Sequence, residues 1–237
     1  MMEIAERKFK FLCHSGLECF NNCCRDIYII LTPYDVLRMK NHLGILSGEF
    51  LRDHTIPVAT GTLFPAVALR MKPDNDLACP FVSDNGCRVY PVRPWSCRMA
   101  PLDSVEGEMR FIFSSEHCLG LNEDREWTVD EWMRDQEMTG YDAIEGALKE
   151  LPNRVKFTGM NRIDSHIVQL IYMICYDIDR FRRYVFKTRF LQVFPVDRTQ
   201  ESEIRIDDGA LLRFGLRWLI DGPDLRTTIE LRDELSG

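Results

Sequence analysis

The residues of this chain best suited to chemistry are eight thiols spread between positions 13 and 118. They read Cys13-x5-Cys19-x3-Cys23-Cys24, then Cys79-x7-Cys87-x9-Cys97, then Cys118 inside Glu116-His117-Cys118-Leu119-Gly120. Thiolate sulfur is a soft ligand that suits zinc and iron–sulfur clusters, and both usually take four protein ligands. Eight thiols therefore serve either two centres, or one centre with four to spare. Structural zinc sites are commonly built from Cys-x2-4-Cys knuckles, and only the stretch from Cys19 to Cys23-Cys24 has that spacing. A cluster several ångströms wide collects ligands from scattered loops, so the spacing favours an iron–sulfur cluster, of the 4Fe-4S kind, over zinc. The candidate metal ligands are Cys13, Cys19, Cys23, Cys24, Cys79, Cys87, Cys97 and Cys118. Cys23 and Cys24 are neighbours, and in extended chain their side chains would point to opposite faces. The ninth cysteine, Cys175, sits alone on an apolar helical stripe and reads as a small buried hydrophobe. Arg25, Arg93 and Arg98 flank cysteines and could offset the negative charge of a thiolate centre. His14 and His117 each adjoin a cysteine, but no pair of histidines has zinc-site spacing.

At 237 residues the chain is long enough to bury a core without metal or disulfide staples, so a cluster of eight cysteines reads as a site. The N-terminus, Met1 to Lys8, carries charges where a secretory leader would need an apolar run of roughly seven to fifteen residues. The expected compartment is the cytoplasm, where thiols stay reduced. The longest apolar stretch, Ile167 to Tyr176, includes Gln169 and is far short of the roughly twenty residues that span a bilayer, so no membrane is expected. A net charge of −7 argues against nucleic acid as a partner, whereas a protein partner or substrate is compatible with it. The basic and aromatic run Arg180 to Phe190 places its arginines opposite the apolar stripe, as a solvated helix face does. No nucleophile set or acid–base pair has positional support, and no catalytic residue is named.

The elements that must position the cysteines follow from pattern. Cys13 to Arg25 is irregular, with Gly16, Asn21 and Asn22 as turn formers. Asp26 to Leu31 reads as a strand, and Thr32-Pro33-Tyr34-Asp35 opens a helix that stops at Gly44. A second helix begins at Ser47, and Ala66 to Met71 is extended. A tight turn at Ser83-Asp84-Asn85-Gly86 would bring Cys79 and Cys87 together, while Pro91 and Pro94 exclude regular structure before Cys97. Glu108 to Phe113 reads as a strand, and Thr128 with Glu131 forms a capping box before another helix. Helices are expected over Asp142 to Leu151, over Asp164 to Phe190 as one continuous stripe, and over Gly209 to Ile220. The fold class is α+β, mainly helical: a loop-rich cysteine-cluster domain with short strands over 1–140, and a helical C-terminal extension over 141–237, possible also as one single domain.

These residues also carry a resemblance. Cys19-x3-Cys23-Cys24, Leu31-Thr32-Pro33-Tyr34-Asp35-Val36-x-Arg38, Cys79-Pro80-Phe81, Gly86-Cys87-Arg88-Val89-Tyr90 and Arg93-Pro94-x2-Cys97-Arg98-x2-Pro101 resemble the YkgJ-type cysteine-cluster family. That group is described as carrying a zinc- or iron-chelating domain and includes flagellin lysine-N-methylases. The likeness covers residues 11 to 140, with Cys118-x-Gly120 and Thr128-Val129-x-Glu131-Trp132 at its end. The family spacing is nearer Cys-x3-Cys-x2-Cys-Cys, and the departure falls on Cys13. The resemblance implies a bound metal centre, and in some members an iron–sulfur cluster. Three functions are compatible with the residues: a metal or iron–sulfur protein in redox chemistry or protein modification, a zinc-stabilised adaptor, and a methylase-like enzyme implied by the family alone. For the last, no G-x-G-x-x-G loop follows any strand.

Overall fold

The structure is a computed structural model that describes residues 8–61, 64–105, 108–141, 144, 146–148, 165–221 and 225–234. In chain order its first elements are β1 (Lys8–Lys10), β2 (Ile30–Leu31), α1 (Pro33–Leu43), α2 (Ser47–His54), β3 (Thr55–Val58) and β4 (Ala66–Leu69). Next come β5 (Val82–Ser83), β6 (Gly86–Cys87), α3 (Trp95–Met99), β7 (Leu102–Val105), β8 (Glu108–Phe111), β9 (Glu126–Thr128) and α4 (Val129–Asp135). From Ser165 on the described elements are all helices: α5 (Ser165–Cys175), α6 (Ile178–Lys187), α7 (Phe190–Val193), α8 (Arg198–Ile206), α9 (Asp208–Ile220) and α10 (Leu225–Glu234). The class is α+β, mainly helical, with short strands in small sheets. The chain divides into two compact units, one from positions 1–31 and 69–140, the other from 32–68 and 141–237. Pattern alone draws one line at 140; the packing also assigns 32–68 to the C-terminal unit.

In the first unit β1 pairs antiparallel with β9, setting Phe9 opposite Trp127. Phe9, Phe11, Trp127 and Trp132 form its aromatic core with Met99, Leu102 and Val129. Trp132 meets Phe11 and Trp127 edge-on, at 5.4 and 5.3 Å between ring centroids, the geometry that ring quadrupoles favour. The indole N–H groups of Trp127 and Trp132 donate to the carbonyls of Phe11 and Met99, so neither ring is buried at the expense of an unmet donor. The expected capping box of Thr128 and Glu131 opens α4.

Three local expectations change. The strand over Asp26 to Leu31 shrinks to Ile30–Leu31, because Asp26 takes a left-handed φ of 46° and sends its N–H to the Leu77 carbonyl. Pro91 lies in a 3-10 turn, Tyr90–Val92, and Pro94 directly precedes α3, so Cys97 stands on a short helix. The single helix over Asp164 to Phe190 is two, α5 and α6, broken at Tyr176-Asp177. The helix expected over Asp142 to Leu151 falls largely outside the described residues.

At the break, within the second unit, the chain meets the start of α2. Ser47 donates from its hydroxyl to Asp177 at 2.7 Å and from its backbone N–H to Asp179 at 2.7 Å, while the Asp179 N–H returns to the Ser47 hydroxyl. The carboxylate of Asp179 thus caps the start of α2, whose own N-cap, Leu46, has no side-chain acceptor. Buried Lys40 lies 2.7 Å from Asp208 and 3.3 Å from Asp179, and Arg182 also pairs with Asp208. Burial pushes the Asp208 carboxyl up, but hydrogen bonds from Lys40 and Arg182 outweigh it and leave the group below the usual carboxylate range.

That depressed carboxyl contributes stability above the ordinary Asp range, about pH 4, which is lost as pH falls through its lower folded value. Replacing Lys40 with Met should destabilise the protein by roughly 3 kcal/mol at pH 7, since two acids lose a buried cation. Urea unfolding from pH 7 to 2 should also show a smaller acid-side loss in Lys40→Met than in the wild type.

Candidate metal centre

All eight candidate cysteines lie in the first unit. Cys13 leaves β1 through Phe11 and Leu12, whose N–H groups donate to the carbonyls of Arg125 and Gly120. The approach at Gly120 is close: a Cβ there would stand 2.9 Å from the Leu12 carbonyl oxygen and 3.0 Å from the Phe11 ring. Glycine is needed for two backbones to meet there, and their meeting sets Cys13 beside the Cys118-Leu119-Gly120 turn. From Cys13 the chain coils through successive tight turns, with Leu17 N–H to His14, Phe20 to Leu17, Asn22 to Cys19 and Cys24 to Asn21. Asn21 supplies a left-handed φ of 69° and ties its amide to the Ser83 carbonyl at 3.1 Å. The Leu119 N–H then donates to the Cys19 sulfur at 3.3 Å, which joins the first cysteine loop to the last.

A second strand-like contact gathers the rest. The Cys79 N–H donates to the Cys24 carbonyl at 2.8 Å, next to an antiparallel bridge between Arg25 and Ala78. β5 and β6 form the expected hairpin, with Cys87 opposite Val82 and Gly86 at φ 103°. Because the Val82 N–H also donates to the Cys79 carbonyl, the hairpin carries Cys87 back toward Cys79. The chain then turns through Pro91 to place Cys97 in α3.

Electrostatics record how near these thiols come. Cys13 is exposed at one edge, yet its packed loop and the neighbouring Cys23, Cys118 and Cys19 push its thiol up to about 11. Cys24 donates to the Cys23 sulfur, holding Cys23 down at about 7 and driving Cys24 itself upward, where burial, Cys79 and Cys97 add to the effect. Burial also raises Cys79, Cys87 and Cys118, and Cys79 feels Cys87 while Cys118 feels Cys19 and Cys23. Among the described residues no three His, Cys, Asp or Glu side chains stand arranged to hold a metal ion. The thiols are gathered but not closed, and one χ1 step between staggered wells re-aims each sulfur. As a donor set they suit soft-metal chemistry, since a bound cation would relieve the repulsion that keeps neighbouring thiols protonated.

The flanking cations separate into two kinds. Arg93 is half-buried over the Tyr90 ring at 3.9 Å, is hydrogen-bonded to Gln136, and lies within electrostatic reach of Cys97 and Cys87. Arg88 also reaches Cys87 while donating to the Pro80 carbonyl at 2.8 Å. Arg98 serves structure instead: only 2% exposed, it donates to the carbonyls of Arg93, Gln136 and Pro91. Arg25 reaches the Asn75 carbonyl. His117 bonds Ser114, and His14 accepts from Gly16 and faces Glu123. Cys175 is buried in α5 of the other unit, where burial pushes its thiol up to about 12. Gly120 and the Leu119 N–H belong to the site through backbone alone; a glycine two residues past a cysteine is the one trace of them in the sequence.

A family model, CxxCxxCC, described as "Putative zinc- or iron-chelating domain", matches residues 12–125. Over residues 12–125 the chain is similar to this cysteine-cluster family. The matched stretch contains all eight candidate thiols, and the metal it implies is zinc or iron. The cysteine-cluster domain also contains Thr32 to Arg38, whose residues pack in the second unit: Tyr141 donates to Asp35 at 2.7 Å and accepts from Arg38 at 3.0 Å. That part of the motif is therefore structural. No curated protein and no solved structure matches the chain significantly.

Two variants test this framework. Gly120→Ala forces the Leu12 and Phe11 contacts apart and should lower stability by about 1–3 kcal/mol in urea unfolding. Arg98→Met leaves three carbonyls without their donor and should cost about 3 kcal/mol or more.

Proposed function

We propose that the cysteine-cluster domain binds an iron–sulfur cluster, of the 4Fe-4S kind, through its thiolates, and that the protein works in redox chemistry or protein modification in a reducing compartment such as the cytoplasm. The observation that carries this reading is the convergence of thiols from separate loops, at positions 13–24, 79–97 and 118, by backbone contacts that do not themselves need a metal. A tetrahedral zinc with Zn–S bonds of about 2.3 Å requires four sulfurs within roughly 4 Å of one another. Thiols dispersed over this many loops suit a wider inorganic core, which fills the centre itself. When bound, such a cluster supplies one-electron transfer or a Lewis-acidic iron. The residues would act around it: Cys19 takes a backbone N–H from Leu119, and Arg93 and Arg88 offset negative charge at Cys87. Donors and cations of this kind raise a cluster's potential.

Protein purified without oxygen should absorb broadly near 400 nm and contain iron and sulfide in equal amounts. A colourless protein with stoichiometric zinc would replace the cluster by a zinc-stabilised adaptor. Cys79→Ser, Cys87→Ser and Cys97→Ser should each lower bound metal, and full retention in all three would remove them as ligands. Titration calorimetry with S-adenosylmethionine addresses the methylase function, for which heat of binding is the required outcome.

A further inference from the structure

The backbone contacts that gather six of the eight thiols form two sets. One set joins Cys13, Cys19 and Cys118: Leu12 to Gly120, the close approach at Gly120, and the Leu119 N–H to the Cys19 sulfur. The other joins Cys24, Cys79 and Cys87: the Cys79 N–H to the Cys24 carbonyl, the Arg25–Ala78 bridge, and the Val82–Cys87 pairing. Cys97 falls with the second set, near Cys24 and beside the arginine that also reaches Cys87. Cys23 stands between the sets, within reach of Cys13 and Cys118 and also of Cys87 and its neighbour Cys24; with four thiols already in the second set, it is the one left to complete the first. The vicinal pair sits on a 3-10 turn, Asn22–Cys24, where successive side chains diverge by a third of a turn. Adjacent residues can therefore serve different neighbours.

We propose that the thiols make two four-cysteine centres, Cys13, Cys19, Cys23 and Cys118 holding one and Cys24, Cys79, Cys87 and Cys97 the other, with the vicinal pair divided between them. The partition rests on the metal-binding reading above and extends it from one centre to two. It accounts for all eight thiols with none spare, in the number of ligands each centre takes. It also makes the two unequal. Cys13 and Cys23 are exposed, whereas Cys79 is buried and Arg88 and Arg93 stand by the second set. The first centre should be the one that chelators and air remove first.

The test uses the full chain purified anaerobically, with two fourfold variants that change one set or the other to serine. With clusters in both sites the wild type should hold about eight irons and eight sulfides, and each variant about half, with a cluster spectrum still present. About four irons in the wild type, lost completely in one variant and kept in the other, would keep the cluster and overturn the partition. Two zinc ions per chain, halved by each variant, would keep the partition and overturn the cluster. A wild type without metal would overturn both. Where a fourfold variant does not fold, the single changes Cys118→Ser and Cys97→Ser give a second readout. Dithionite-reduced wild type should show a broadened, spin-coupled electron paramagnetic resonance signal that each single change simplifies. An uncoupled signal from fully loaded wild type overturns the two-centre arrangement.

Discussion

Thiols brought within electrostatic reach of one another resist ionising together, and the first unit is built so that they are held there regardless. Cys13, Cys24, Cys79, Cys87 and Cys118 all have thiols raised above their ordinary range, and in each case burial combines with the charge of another cysteine. Ionised together, thiols on flexible loops would push apart. What opposes it is backbone: the meeting at Gly120, the Cys24–Cys79 hydrogen bond and the β5–β6 hairpin fix Cα positions that side-chain repulsion cannot alter. The aromatic core around Trp132 anchors both ends of this scaffold, through β1 and β9 on one side and Met99 of α3 on the other. The cost of crowding the thiols is thus met by the fold, and a soft cation recovers it on binding.

Much of this arrangement was legible in the order of residues, and the limits of what could be read are physical. Thr32-Pro33-x-Asp35 and Thr128-x-x-Glu131 open helices because a cap is a local matter, settled within four residues. The Asp84-Asn85 hairpin was visible for the same reason, since Gly86 supplies the positive φ at its end. The helix break at Tyr176-Asp177 was not visible. Its apolar stripe runs on without interruption, and Ser47, the hydrogen-bond partner of Asp177 at the break, is 130 positions away. Likewise Arg93 and Arg98 look equivalent around Cys97, yet one stands near thiols and the other is spent on carbonyls. Cysteine spacing reveals that a site exists; the division of its ligands depends on contacts such as Leu119 to Cys19, at a separation of 100 residues.

The second unit shows how polar groups can define a helical core. Lys40 and Arg182 share Asp208, and Asp179 both receives Lys40 and caps α2. Each carboxylate has more than one donor, as buried charges require. Around them the apolar packing is tight: at Gly215 of α9 a Cβ would stand 2.6 Å from Ile174 and 2.7 Å from Phe181, so α9 lies directly against α5 and α6. Close helix packing of this kind fixes the register in which the ion pairs meet.

The stretch that defines the family and the bodies into which the chain packs do not share boundaries. Residues 12–125 run through both units, since α1 and α2 lie within that stretch but take Lys40, Ser47 and Asp35 to partners at 179, 177 and 141. A fragment cut at the family's edges would keep every candidate ligand and strip two amphipathic helices of the acids and the tyrosine they are built to meet. Inheritance and folding have divided this chain differently. The segment that carries the candidate ligands is one piece of sequence, and the partners of its helices lie beyond it.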